Sequence, residues 1–332
     1  MKIPYGKQSI SKNDIKEVVS VLNSDFLTQG PKVPEFEYKV CSTINVKHAV
    51  AVNSATSALH IACLALELQK GDTIWTSPNS FVASANCGLY CGAEVDFVDI
   101  DPSTLNISVS ELEKKLVLAN KENRLPKILI VVHFGGCPCD MKEIYNLGQK
   151  YNFSIIEDAS HAVGALYLNE YTGNCKYSDI TVMSFHPVKI VTSGEGGVAL
   201  TNSNNLADKM RLYRSHGITR DPDYMTNPKR DNLYYEQIHL GYNYRMTDLH
   251  AALGISQWDR LDQFVDKRNI LSEKYSESLS KLPLIPQYIP KNQKSARHLY
   301  VVRIDKSKCN ISQKKIISQL HKKGIFVSIH YI

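Results

Sequence analysis

Three short segments carry polar side chains at predicted strand-to-helix junctions, where ligands bind in open α/β sheets. The first, residues 52–58, reads Val-Asn-Ser-Ala-Thr-Ser-Ala and joins a strand to a helix. Free N–H groups and hydroxyls at a helix N-terminus can bind an anion such as a phosphate. Simple helix capping by Ser54 or Thr56 explains the same residues and is the commoner case. This segment alone therefore leaves both interpretations open.

The second segment, residues 157–162, reads Glu-Asp-Ala-Ser-His-Ala and ends an apolar run. A carboxylate at a buried strand end is costly unless a cation lies beside it. A protonated pyridine nitrogen would be such a cation, and an Asp–pyridinium pair is typical of enzymes that use pyridoxal phosphate. Asp158 could instead cap a helix or form a catalytic pair with His161, so this segment is also ambiguous alone.

The third segment, residues 184–189, reads Ser-Phe-His-Pro-Val-Lys and precedes the turn Gly-Glu-Gly-Gly at residues 194–197. A lysine is normally solvated, with a pKa near ~10.4, and it forms a Schiff base only among apolar neighbours or close to a cofactor. Phe185, Pro187 and Val188 could provide such surroundings for Lys189. In chain order the three segments offer a phosphate site, an acid for a pyridine nitrogen and a Schiff-base lysine.

An α/β fold with a largely parallel sheet must position these segments, because strand and helix patterns alternate along the chain. The predicted strands cover residues 49–52, 73–76, 94–98, 127–133, 153–158, 180–185 and 198–201. Two helices precede them, the first with Ser11 as its candidate N-cap. Apolar spacing predicts that the first helix buries Ile15, Val18, Val19 and Leu22. The second is predicted to bury Val33, Phe36, Val40 and Ile44.

The C-terminal part is predicted to begin with one long helix over residues 247–279. Pro283, Pro286 and Pro290 then break the chain and mark a domain boundary. A strand at 299–304, a helix at 312–322 and the start of a strand at 325–330 follow. These elements are too few for a self-sufficient domain.

Bulk composition excludes several classes of protein. The 332 residues are 43% hydrophobic and 22% charged, as in ordinary globular proteins. The sequence has neither a membrane-spanning apolar run nor a secretory leader, so we expect a cytoplasmic protein. The net charge of +6 suits an anionic small molecule, while the absence of a basic run argues against nucleic acid. The eight cysteines lack the paired C-x-x-C spacing of a zinc or redox site, so no metal is predicted.

Several phrases resemble the DegT/DnrJ/EryC1/StrS sugar aminotransferases, a family that uses pyridoxal 5'-phosphate. They are Thr-Gln-Gly at residues 28–30, Asn-Ser-Ala-Thr-Ser-Ala-Leu at 53–59, Glu-Asp-Ala-Ser-His-Ala at 157–162, Ser-Phe-His-Pro-Val-Lys at 184–189 and Gly-Tyr-Asn-Tyr-Arg-Met at 241–246. The resemblance extends from Tyr5 to Tyr331. It implies an aspartate-aminotransferase-like fold of type I, with a mostly parallel seven-stranded sheet in a large domain and a small α+β domain at the C-terminus.

The same resemblance implies that the chain is divided into three parts. Residues 1–30 would be an N-terminal substrate-site segment, residues 31–255 the large cofactor-binding domain, and residues 256–332 a linking helix with the small domain. Family members continue beyond the His-Tyr phrase at residues 330–331, so we expect the small domain to be incomplete here.

The family's cofactor residues map onto this chain one by one. Lys189 would be the catalytic residue, joined to the cofactor and moving a proton at the substrate carbon. Asp158 would face the pyridine nitrogen, His161 would lie beside the ring and Phe81 would stack on it. Ala55, Thr56 and Ser184 would hold the phosphate. Asn243 would reach the phosphate region of a neighbouring subunit, which implies a homodimer with shared active sites.

The residues that the resemblance assigns to the substrate lie near both chain ends and beside the phosphate site. They are Tyr5, Asp25, Phe26, Leu27, Thr28, Ser54, Ser184, Asn243, Ser328, Ile329, His330 and Tyr331. The implied reaction moves an amino group from L-glutamate, which leaves as 2-oxoglutarate, to the C4 ketone of a UDP-linked 4-keto-6-deoxy sugar. The alternatives are another UDP- or dTDP-linked keto sugar, or an inactive cofactor- or ligand-binding relative.

Two other enzyme classes fit the sequence less well. Some relatives are sugar dehydratases that carry histidine in place of the lysine, and Lys189 argues against that chemistry. A Rossmann dehydrogenase would need Gly-x-Gly-x-x-Gly after an early strand, whereas the Gly-rich turn at residues 194–197 precedes a strand.

Overall fold

The computed structural model describes residues 2–226 and 233–331. Its helices, in chain order, are α1 Lys12–Leu22, α2 Lys32–Ile44, α3 Ala55–Ala65, α4 Ala83–Tyr90, α5 Val109–Lys121, α6 Met141–Tyr151, α7 Asn204–Arg214, α8 Asp248–Trp258, α9 Leu261–Ser278 and α10 Gln313–Lys322. In those ranges, no helix combines the length and apolar character that a bilayer crossing requires.

The strands form one large sheet and three small ones. Those of the large sheet are β1 His48–Val52, β2 Thr73–Thr76, β3 Glu94–Phe97, β4 Ile128–Val132, β5 Ser154–Asp158, β8 Ile180–Ser184 and β9 Gly197–Thr201. The short strands are β6 Leu166–Tyr167, β7 Glu170–Tyr171, β10 Ile218–Thr219, β11 Glu236–Gln237, β12 Leu284–Pro286, β13 Gln293–Lys294 and β14 Val302–Ile304.

The large sheet has the order β1-β9-β8-β5-β4-β2-β3. From β3 to β8 the neighbouring strands are parallel, and β9 runs antiparallel to both β8 and β1. The prediction of a mostly parallel seven-stranded sheet is confirmed. Strands β4, β5, β8 and β9 are buried along their whole length or nearly so, as expected for a sheet covered on both faces.

Strand register brings the chemically active segments to one edge of this sheet. Asp158, the last residue of β5, pairs with Val182, so it lies two residues before the end of β8. Ser184, at that end, pairs with Gly197, which also pairs with Val52 immediately before the turn into α3. The three segments singled out in the sequence therefore meet at the carboxyl edge of the sheet, where ligands bind in such folds.

An aromatic cluster anchors the segment that leads to Lys189. Phe185 is fully buried and lies edge-on to Phe36, with ring centroids 5.2 Å apart, and to Trp258, at 6.1 Å. Burying one such side chain contributes roughly 1.5–3 kcal/mol, and edge-to-face packing adds to it. The chain between Ser184 and Lys189 is thus tied to α2 and α8.

The first helix buries a different face from the one predicted. Its capping box is present, with Ser11 and Asp14 exchanging hydrogen bonds, but Ile15, Val19 and Leu22 are exposed. Asp14 is buried instead, where Ser256 Oγ donates at 2.6 Å and Arg260 forms an ion pair at 2.5 Å. This polar network holds α1 against α8. The prediction that α1 buries its apolar face was therefore wrong.

Two C-terminal predictions also differ from the structure. The predicted helix over residues 247–279 is two helices, α8 and α9, which are separated at Asp259 and Arg260. The predicted strand start at residues 325–330 is not a strand, and only Ile325 forms an isolated bridge, with Ile3. Single hydrogen bonds to the N-terminal segment replace the strand pairing that the apolar pattern suggested.

Candidate active site

A cavity of about 800 Å³ opens at the carboxyl edge of the large sheet. It brings together eleven of the predicted site residues, from both chain ends and from the sheet edge. These are Tyr5, Ser54, Ala55, Thr56, Phe81, Asp158, His161, Ser184, Lys189, His330 and Tyr331. Residues as far apart in sequence as Tyr5 and Tyr331 thus share one wall.

The N-terminus of α3 forms one end of the cavity. Ser54 caps the helix by accepting a hydrogen bond from the Ser57 N–H at 3.1 Å. The N–H groups of Ala55 and Thr56, in the first turn, have no intrahelical partner and remain available to an anion. Capping and anion binding therefore use different atoms here, so the two interpretations of this segment are compatible.

Strand β9 passes close to the turn into α3 at this end of the cavity. A side chain at Gly197 would place its Cβ 2.5 Å from the Ala55 nitrogen and 2.6 Å from the Ser54 carbonyl carbon. Only glycine fits against the turn. The glycine thus lets Ser184, which pairs with Gly197, share the cavity wall with Ala55 and Thr56.

Asp158 is buried in the opposite wall, with 6% of its surface exposed. Ser84 Oγ donates to its Oδ2 atom at 2.7 Å, and the Ser160 N–H donates to Oδ1 at 3.1 Å. Ser80 in turn donates to Ser84 at 2.6 Å. Within the described ranges the carboxylate has no ion-pair partner at salt-bridge distance, so its charge is free for a cation inside the cavity.

Lys189 lies in the cavity wall and interacts with that carboxylate. Burial lowers the pKa of its amine to about 8, and the negative charge of Asp158 limits the shift by acting in the opposite direction. Desolvation disfavours the charged ammonium, while a nearby carboxylate favours it. A lysine with this pKa has a substantial neutral, nucleophilic fraction near neutral pH.

His161 is a neutral imidazole held at both ring nitrogens. The Gly135 N–H donates to Nδ1 at 3.4 Å, which leaves the proton on Nε2, 3.0 Å from the Tyr331 hydroxyl. Burial first, and then the charge of Lys189, lowers the pKa of His161 well below its usual value. The ring is thus oriented as a flat, uncharged surface in the cavity.

The two ends of the chain close the remaining side. Ile3 links the N- and C-terminal segments, because its N–H donates to the Gly324 carbonyl and its carbonyl accepts from the Phe326 N–H. Tyr5 stacks on His330 with ring centroids 5.4 Å apart, and its hydroxyl lies 2.7 Å from His330 Nε2. Both aromatic residues line the same cavity as Lys189.

Seven predicted substrate or cofactor residues lie outside this wall: Asp25, Phe26, Leu27, Thr28, Asn243, Ser328 and Ile329. The segment around Thr28 is held elsewhere, because Thr28 bridges to Thr247 and the Asp248 N–H donates to the Leu27 carbonyl. Phe26 and Leu27 are about half exposed, and Asn243 is exposed.

Other residues line the cavity that were not predicted as part of the site. The polar ones include Asn53, Ser80, Ser160, His186, Glu195, His250 and His298. Asn53, Ser80 and Ser160 are each adjacent in sequence to a predicted residue. His298 had no such signal, since it comes from a segment between β13 and β14, far from every motif.

A sequence profile of the DegT/DnrJ/EryC1/StrS aminotransferase family matches residues 8–332. The chain belongs to this family. It is therefore an enzyme of the sugar aminotransferase class, as the phrases around Asp158 and Lys189 predicted. Family membership also implies dependence on pyridoxal phosphate.

Individual relatives agree with this assignment. The chain is 39% identical over 331 residues to a UDP-4-amino-4,6-dideoxy-N-acetyl-β-L-altrosamine transaminase of Campylobacter jejuni, covering 99% of this chain and 83% of the relative. It superposes on PseC of Helicobacter pylori, an aminotransferase of pseudaminic acid biosynthesis, with a TM-score of 0.90 and 33% identity over 100% of this chain and 85% of PseC. The sugar aminotransferase Spr1654 of Streptococcus pneumoniae in its PLP form gives a TM-score of 0.86 and 26% identity over 100% and 85% of the two chains.

The residues of the cavity fit pyridoxal phosphate. The buried carboxylate of Asp158, without an ion-pair partner in the described chain, suits a protonated ring nitrogen. The open N–H groups at the start of α3 suit a phosphate, and the close approach of Gly197 keeps that end narrow. The amine of Lys189, with its pKa of about 8, suits an aldehyde.

Proposed function

We propose that this protein is a pyridoxal-phosphate-dependent aminotransferase that transfers nitrogen from L-glutamate to the C4 ketone of a UDP-linked 4-keto-6-deoxy sugar. The observation that carries the proposal is the placement of Lys189 and Asp158 in one cavity whose far end is the N-terminus of α3. Each of the three supplies a different requirement of the cofactor.

When bound, the cofactor supplies an electron sink for the carbanion left by proton removal. The Asp158 carboxylate would lie against the protonated ring nitrogen, and hydrogen bonds from Ser84 and the Ser160 N–H orient that carboxylate. Ala55, Thr56 and Ser184, which line the cavity, would hold the phosphate, and Phe81 and His161 would lie beside the ring. Lys189 takes a proton from one carbon of the amino donor and later delivers one at C4 of the sugar.

The proposed acceptor rests on the relatives and on the size of the cavity. The name of the Campylobacter relative includes a UDP-linked amino sugar. A cavity of about 800 Å³ lies within the range of small-molecule sites and exceeds what a cofactor of this size fills. The aromatic pair of Tyr5 and His330 would then lie against the sugar nucleotide.

We also propose that the working unit is a homodimer. Both substrates are anionic, yet the described residues of the cavity wall include a single lysine and no arginine. Additional cations would therefore come from a second copy. The exposed apolar side chains of Ile15, Val19, Leu22, Phe26 and Leu27 provide surface that a partner could cover. Asn243, which is exposed and outside this cavity, would serve the neighbouring one.

Two half-reactions test the proposed function. The purified protein, loaded with pyridoxal phosphate, should lose its yellow colour when L-glutamate is added, because the cofactor accepts the amino group. Addition of a UDP-4-keto-6-deoxy sugar should restore the colour and yield the 4-amino sugar, which mass spectrometry would detect. Persistence of the colour with glutamate and other amino acids would contradict transamination and favour a binding-only relative. Faster recovery with dTDP-linked keto sugars would reassign the acceptor.

A further inference from the structure

His298 is a buried cavity-wall residue to which the proposed chemistry gives no role. Only 8% of its surface is exposed, and it lines the cavity together with Lys189. Its Nδ1 atom is buried and has no hydrogen-bond partner in the described ranges of the chain. Buried polar groups are normally hydrogen-bonded, and leaving one without a partner costs roughly 1–3 kcal/mol. A ring in this position therefore calls for an explanation.

Hydrogen bonds hold the backbone of the segment that carries His298. The neighbouring Ala296 and Leu299 donate N–H bonds to the carbonyls of Gly136 and Gly135, at 3.0 and 3.2 Å. Arg268 of α9 donates to the carbonyl of His298 itself at 3.1 Å. A Cβ at Gly136 would lie 3.0 Å from the backbone nitrogen of His298, so the two segments are packed too closely to admit a side chain there. These contacts hold the backbone of His298 in place at the cavity wall.

The surroundings keep this ring uncharged. Burial lowers the pKa of His298 well below the usual value, and the positive charges of Lys189 and Arg268 lower it further. The His161 ring lies 4.4 Å away, centroid to centroid, and is itself neutral. Because Nδ1 has almost no accessible surface, a molecule in the cavity can reach only the other nitrogen, Nε2. In a neutral imidazole this atom can donate to or accept from a hydroxyl group, and the ring has no charge to attract a carboxylate or a phosphate.

We infer that His298 hydrogen-bonds a hydroxyl group of the sugar acceptor in this cavity, an inference that rests on the proposed function. The amino donor offers only an ammonium group and carboxylates around its reacting carbon. The sugar ring offers neutral hydroxyls close to the carbon that Lys189 serves. His298 is therefore a specificity residue for the second substrate.

The test compares His298→Phe with His60→Phe. Phenylalanine keeps a flat ring against His161 but has no nitrogen. His60 is a matched control, because it is buried and does not line the cavity, and one of its ring nitrogens also has no hydrogen-bond partner among the described residues. Rapid mixing would measure the glutamate and the sugar half-reactions separately. For His298→Phe we expect kcat/KM of the sugar half-reaction to fall roughly tenfold to a hundredfold, with the glutamate half-reaction within about twofold of the original.

A binding measurement keeps the inference testable without turnover. Calorimetry would compare UDP-N-acetylglucosamine with UDP on the cofactor-loaded protein. We expect the sugar to strengthen binding in the original protein and in His60→Phe, and this gain to be lost in His298→Phe. His298→Gln, which retains a donor and an acceptor, should recover part of it.

Three results would overturn the inference: an unchanged sugar half-reaction, an equal fall in both half-reactions, or an undiminished gain from the sugar in His298→Phe. A protein that does not respond to glutamate would contradict the proposed function instead, and the calorimetric comparison would still decide the role of His298.

Discussion

At the scale of single residues, Lys189 differs from a surface lysine because water is largely removed from its amine while one carboxylate remains near. Burial lowers the pKa and Asp158 opposes the shift, leaving a pKa of about 8. At pH 7.5 roughly a quarter of such amines are neutral, against about 0.1% for a lysine with the usual pKa of ~10.4. This difference makes one of many lysines a nucleophile.

The pKa of Lys189 predicts how capture of the cofactor depends on pH. Only the neutral amine attacks an aldehyde, and the neutral fraction rises as pH increases through the pKa. The rate at which cofactor-free protein combines with pyridoxal phosphate should therefore rise between pH 6 and 9, with a midpoint near 8. Stopped-flow absorbance would record it. A midpoint above about 10, as for a solvated lysine, would contradict the buried position.

Sequence patterns singled out the segments of Asp158, Ser184 and Lys189, which lie at or beyond the ends of apolar strands, and the family resemblance assigned a role to each residue. The structure then shows what those positions share, namely one cavity wall. His298 could not be found in this way, since its position depends on packing between residues 133–137 and 295–299. Such contacts leave no periodic trace in the sequence.

At the scale of elements, the turn from β1 into α3 depends on β9. The N–H groups of Ala55 and Thr56 are useful to a phosphate only while the turn stays where it is. Gly197 permits this, because its missing side chain leaves room for the backbone of Ser54 and Ala55.

Replacing Gly197 by Ala should displace that turn. The new methyl group would lie 2.5 Å from the Ala55 nitrogen, so strand and helix would have to separate. We expect unfolding free energy to fall by roughly 1–3 kcal/mol and pyridoxal phosphate to bind at least about tenfold more weakly. Thermal unfolding and fluorescence titration would measure both. Gly6→Ala, whose methyl group would meet only Val188 at 3.8 Å, should change stability little; equal effects in the two variants would contradict this account.

The sequence largely predicted which segments are helices and strands, but it did not always predict which face of a helix is buried. The α2 pattern is confirmed, since Val33, Phe36, Val40 and Ile44 are all buried. In α1 the buried partner is a polar network around Asp14, which hydrophobic periodicity cannot detect. The break between α8 and α9 was missed because neither proline nor glycine marks it.

At the scale of the whole molecule, the cavity is assembled from distant parts of the chain. Tyr5 and His330 are 325 residues apart and in contact. The predicted substrate residues around Asp25 and Asn243 do not line this cavity. A dimer in which they contribute to the neighbouring site would give them the role that the family resemblance predicted.

Mixing two inactive variants tests this sharing. Lys189→Ala lacks the amine, and Asn243→Asp would place a negative charge near the neighbouring phosphate. If the site is shared, a mixed dimer has one site with both defects and one with neither. Random reassociation should then restore about a quarter of the original activity. Activity no higher than that of the separate variants would show that Asn243 serves the site of its own subunit or none.

The most direct test of the central claim is a peptide map of protein loaded with pyridoxal phosphate and reduced with borohydride. Reduction makes the bond between amine and cofactor permanent. The account predicts about one pyridoxyl group per chain, carried by the peptide that contains Lys189, and none in Lys189→Ala. A label on any other lysine, or an undiminished label in that variant, would contradict it.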